Sequence, residues 1–155
     1  MKTTIKLFFM IFLFSFFGLF SQNKKNIKID IPQTQLESGQ IWKYKTRIGE
    51  EKSRVLILKI EKYEEKETVI HISVHGLKIK NAKIETGISE DIGHLPFSEE
   101  SIIQSLTELV SSNNTLSNYE DGYNQWKDAF KIGNAGVFSI SIKEAVDYVE
   151  QTMNQ

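Results

Sequence analysis

The chain has 155 residues, a formal net charge of −1 and no cysteine. That length supports one domain with a real core and not two comfortable ones. The balance of 19 basic against 20 acidic side chains leaves no footprint for nucleic acid or an anionic membrane surface, and the missing cysteine excludes disulfides and lipidation at a cleavage-site cysteine.

The N-terminus distorts the composition. Seven of the ten Phe lie between Phe8 and Phe20. Lys2 and Lys6 precede an apolar block over 7–20 that only Ser15 and Gly18 interrupt. A spanning helix needs about 20 apolar residues, so the block has the dimensions of a secretory signal. Ser21 offers the small residue that a signal peptidase requires, just before the polar Gln22-Asn23-Lys24-Lys25. Residues 1–21 are therefore predicted to be a signal peptide, cleaved near Ser21 to give a periplasmic or extracellular product with no membrane attachment. Losing two lysines leaves that product 17 basic and 20 acidic side chains, a charge of −3. Residues 22–35, polar and carrying Pro32, read as a tether, although Ile27, Ile29 and Ile31 alternate as in an edge strand. A single α+β domain is expected over 36–155.

Within that domain a first strand is predicted over 41–48, with Trp42, Tyr44, Thr46 and Ile48 on one face and Ile41, Lys43, Lys45 and Arg47 on the other. After the polar turn 49–53 a second strand covers 54–62. It is apolar on both sides at Val55, Leu56, Ile57 and Leu58, as in a strand between two layers. The third strand, 68–79, is the spine of the domain. Ile70, Ile72 and Val74 alternate with His71, Ser73 and His75, and the apolar parity shifts at Gly76 to Leu77 and Ile79, which reads as a bulge. Turns of about five residues favour antiparallel pairing of these three strands as a meander.

Residues 81–96 hold two glycines, a proline and no clear period, and are expected to be a long loop. A helix follows, capped by Ser98, with Glu99 and Glu100 in its first turn and Phe97 stapled to Ile102; its buried stripe is Ile102, Ile103, Leu106, Leu109 and Val110. A second helix over 118–132 places Tyr119, Tyr123, Trp126 and Phe130 on one aromatic face, read as core packing. A short strand over 137–140 and a last helix opened by the capping box Ser141-Ile142-Lys143-Glu144 close the chain, with Ala145, Val146, Val149 and Met153 inward. The expected architecture is α+β: an antiparallel three- to four-stranded meander with about three helices packed on one face.

Four segments, Gly39-Gln40-Ile41-Trp42-Lys43-Tyr44-Lys45-Thr46-Arg47, Ile70-His71-Ile72-Ser73-Val74, His94-Leu95-Pro96-Phe97-Ser98 and Trp126-Lys127-Asp128-Ala129-Phe130, resemble a family of short bacterial proteins and domains of unknown function. The resemblance runs from Gly39 to the C-terminus. It implies a single-domain unit and carries over no catalytic or ligand residue.

Three constellations are candidates for chemistry. His71 and His75 have helical metal-ligand spacing, but on a strand they stand about 13 Å apart, and the Glu that a zinc protease needs after the first His is Ile72. No metal site and no cofactor are therefore expected. Glu85, Glu90, Asp91 and His94 share the 81–96 stretch, where His94 with Glu90 or Asp91 has the residue types of an acid–base pair. Lys43, Lys45 and Arg47 share one strand face that pairing can bring beside His71, Ser73 and His75, a basic stripe suited to an anionic partner. No Gly-x-Ser-x-Gly, Ser-x-x-Lys or Gly-rich phosphate loop occurs. The expected function is an exported, non-enzymatic module that binds a protein or envelope component through Lys43, Lys45, Arg47, His71, Ser73, His75 and His94. A small hydrolase using His94 with Glu90 or Asp91 and an immunity-type inhibitor of a toxin or secreted enzyme are the alternatives.

Overall fold

Thirteen residues rich in β-branched side chains make Thr68–Lys80 the longest strand, and the rest of the sheet is laid out around it. The computed structural model describes residues 35–63 and 68–155; the signal segment and all but the last residue of the tether lie outside them. The elements are β1 (Ile41–Tyr44), β2 (Arg54–Lys62), β3 (Thr68–Lys80), β4 (Ile88–Ser98), α1 (Glu99–Ser105), β5 (Leu106–Ser111), α2 (Glu120–Lys131) and α3 (Ile142–Met153). The fold is α+β, with one open sheet in the order β4-β3-β2-β1-β5, antiparallel at every pairing. None of the helices among the described residues is long and apolar enough to cross a membrane.

The meander extends to four strands, and β5 returns to the far edge beside β1. The expected long loop over 81–96 is mostly β4; only the turn before Ile88 is irregular. Bulges hid its period. Val74 faces Ile92 while Ile72 faces Leu95, so Gly93 and His94 both stand opposite Ser73. A second irregularity, between His75 and Ile79, coincides with Gly76 at φ +74°. Beyond it Leu77 and Ile79 are buried, the parity shift expected from the sequence. Pro96 is tolerated because β4 is an edge strand; Pro96 also accepts a bond from the Phe138 amide through its carbonyl.

The first predicted helix stops early. Ser98 caps it as expected, but Ser105 bonds back to the Ser101 carbonyl and receives the Ile142 amide, which ends the helical ladder. Residues 106–111 then fill the open edge of β1, so the stripe expected at Leu109 and Val110 belongs to a strand and Val110 is exposed. β1 itself ends at Tyr44, because the Lys45 amide bonds to Ser105 and the chain turns; Ile48 is 99 % exposed. The strand expected over 137–140 is reduced to one parallel bridge, Phe97 to Phe138.

The helices divide between the two sheet faces, a correction to the one-sided packing expected. Trp42, Val55, Ile57, Ile70, Ile72 and Val74 form the main core with Ile102 of α1 and Ile142, Ala145, Val146 and Val149 of α3. The opposite face carries Val69, against which Tyr123 and Trp126 of α2 pack with Tyr63, Tyr119 and Phe130. The capping box of Ser141 and Glu144 is formed. A bulge between Ile57 and Lys59 moves Ile60 onto the main-core side and turns Lys59 and Glu61 toward α2.

Candidate functional site

Successive odd residues of β3 build the site, since side chains alternate across a strand. His71, Ser73 and His75 lie in a row on the α2 face of the sheet, and the β4 bulge turns His94 toward the same face. His71 Nδ1 and His94 Nε2 are 2.9 Å apart. Their ring planes diverge by only 17° with centroids 5.1 Å apart, the spacing of two rings bonded edge to edge. His71 Nε2 lies 3.2 Å from Glu61 Oε2. A carboxylate only accepts, so His71 carries its proton on Nε2; its Nδ1 must then accept, and His94 donates from Nε2.

Glu61 is the hub. Its Oε1 accepts from the Tyr123 hydroxyl at 2.7 Å and pairs with Lys59 at 3.1 Å, and its Oε2 accepts from Tyr63 at 3.1 Å. Lys59 and Lys127 both donate to the Tyr123 oxygen at 2.7 Å. Burial pushes Glu61 upward, yet the bonds from Tyr123, Lys59 and Tyr63 outweigh it and hold the carboxyl down to about 2. Burial lowers His71 to about 4 against the upward pull of Glu61, and burial followed by the repulsion of His71 lowers His94 to about 4. Both imidazoles are therefore neutral at neutral pH. Trp126 and Tyr123 meet His71 edge-on, with centroids at 4.8 and 5.1 Å. Gly122 lets α2 come this close: a Cβ there would stand 3.1 Å from the His94 Cβ.

Further along the row, Ser73 Oγ is 2.8 Å from His75 Nε2, and His75 Nδ1 is 2.9 Å from Asp91 Oδ1. The order resembles a hydrolytic triad. Ser73 is 0 % exposed, however, and the Ser117 hydroxyl lies over it at 3.4 Å, so no carbonyl carbon reaches its oxygen. Beside this line α2 no longer covers the sheet. An open groove of about 340 Å³ remains, walled by Ile41, Val55, Leu56 and Leu116, with Arg54 and His75 at its polar side.

The structure thus brings together four of the residues singled out from the sequence, His71, Ser73, His75 and His94, and disperses the other three. Lys43 pairs with Glu108 on β5. Lys45 donates to the Gln104 carbonyl. Arg47 is clamped by Glu50, Asp147 and Glu150, and the Glu50 bonds foremost raise its pKa. The basic stripe is not formed, because the strand that was to align it ends at Tyr44. Nor is the pairing of His94 with Glu90 or Asp91: Asp91 binds His75, and His94 binds His71. Among the described residues no three His, Asp or Glu side chains are placed to hold one metal ion.

No protein-family model, curated protein or solved structure matches the chain. The site is therefore read from this chain's own residues. Sequence reasoning passed over Arg54, Lys59, Glu61, Tyr63, Tyr123 and Lys127 as site residues. One signal was present: Lys59 and Glu61 near the end of β2, and Tyr63 just past it, alternate as a polar face after the apolar run Val55-Leu56-Ile57-Leu58.

Proposed function

We propose that this chain is an exported binding module whose ligand, an envelope component, lies in the groove between β1, β2 and the 115–117 segment. The observation that carries this reading is the half-covered sheet face. α2 closes one end over the His71–His94–Glu61 network, while the other end keeps an apolar trough of about 340 Å³. That volume is at the small end of the range that ligand sites occupy. Apolar surface left open beside a few directed polar groups is the usual form of such a site. The histidine network fits the role of a rigid support: no buried side-chain polar atom among the described residues lacks a partner.

The reading is tested by titrating the protein with 1-octanol and following backbone amide shifts. Saturable shifts centred on Ile41, Arg54, Val55, Leu56, His75 and Leu116, abolished by Leu116→Asp, are expected. Shifts scattered over the surface, or none at millimolar alcohol, contradict it.

A further inference from the structure

The groove's polar side is cationic, and that property selects among apolar ligands. We propose, on the basis of the binding reading above, that the groove takes the end of a short acyl chain bearing a carboxylate, with Arg54 as the anion contact. The chain contains two arginines, and they are treated oppositely. Arg47 is held by three carboxylates. Arg54 donates from Nη1 to the carbonyls of Glu51 at 3.0 Å and Ser53 at 2.7 Å, and no carboxylate among the described residues pairs with it. Those two bonds fix the guanidinium plane and leave Nε and Nη2, the edge that grips a carboxylate through two parallel bonds.

The remaining groups on the groove agree with this choice. The two ring nitrogens of His75 are taken by Ser73 and Asp91, so His75 offers the ligand no free donor. The Asp91 carboxylate sits on the His75 nitrogen turned away from Ser73. Ile41, Leu56 and Leu116 present hydrocarbon to the chain. A cationic amphiphile would meet the Arg54 charge, and a neutral one would cover the guanidinium without replacing the water it loses.

The test compares octanoate, 1-octanol and octylamine by calorimetry and amide-shift titration, using protein recovered from cells expressing the full chain. Octanoate is expected to bind about tenfold or more tightly than octanol, and octylamine not at all. Arg54→Gln should abolish the preference for octanoate over octanol, and Arg54→Lys should retain part of it. Equal binding of octanoate and octanol, or no effect of Arg54→Gln, overturns the carboxylate assignment and leaves the groove reading standing. Failure of every chain to bind overturns both. Tighter binding of a tri-leucine peptide than of octanoate, or a groove filled by residues 22–34 of the chain itself, overturns the acyl occupant.

Discussion

The neutral histidine pair makes fold stability depend on pH in a defined window. An ordinary imidazole titrates near 6.5, whereas His71 and His94 are each held down to about 4, chiefly by burial. A lowered folded-state pKa means that the unfolded chain takes up protons first as pH falls. Stability is therefore complete above about 6.5, declines through the interval down to about 4, and loses nothing further from these two groups below that. Each shift corresponds to about 3 kcal/mol by linkage, and the pair to about 6 kcal/mol as an upper bound because the rings are coupled. Against a typical total of about 5–15 kcal/mol, that loss is enough to bring the fold close to unfolding near pH 4. Glu61, lowered to about 2, acts at more acid pH: its contribution is present above 4.5 and disappears toward 2. Urea unfolding at pH 7.5, 6.5, 5.5 and 4.5 measures the effect. The free energy should fall most steeply between 6 and 4.5, with a slope approaching two protons, and His71→Gln with His94→Gln should flatten it. An unchanged free energy across that interval, or a slope that survives the double substitution, refutes the buried neutral pair.

Further outcomes follow from the same geometry. The imidazole ¹⁵N spectrum at pH 7 should show His71 and His94 both neutral and protonated on Nε2; a proton on Nδ1 of either would contradict the Glu61–His71–His94 bond order. Gly122→Ala should cost about 1 kcal/mol despite alanine's better helix propensity, because its Cβ meets His94 at 3.1 Å; a gain of similar size in urea unfolding would show that α2 can move away. Arg47→Ala should cost about 3 kcal/mol, since it strands the nearly buried Glu50 carboxylate. Lys43→Ser breaks only the exposed pair with Glu108 and should stay within about 0.5 kcal/mol.

The elements that the sequence made legible are those whose local pattern and tertiary role agree. β3 reads off its alternation and its glycine, α2 off its aromatic face, and α3 off its capping box. The failures occur where tertiary pairing overrides local signals. Residues 106–111 carry apolar side chains at helical spacing, yet the unpaired edge of β1 claims their backbone. β4 contains a bulge, a glycine and a proline, so neither period survives in it. The site was legible as far as a strand face is: His71, Ser73 and His75 are neighbours because every second residue must be. His94 joined them through a bulge that no spacing rule reports. Lys43, Lys45 and Arg47 share a parity, but β1 ends before parity can align all three.

The most direct test of the account is a crystal structure of the protein soaked with octanoate. It should show the hydrocarbon chain against Ile41, Leu56 and Leu116 and the carboxylate paired with Arg54 through Nε and Nη2, with the His71–His94 pair undisturbed beneath α2. Octanoate bound elsewhere, or a groove closed over by the protein's own side chains, would contradict it.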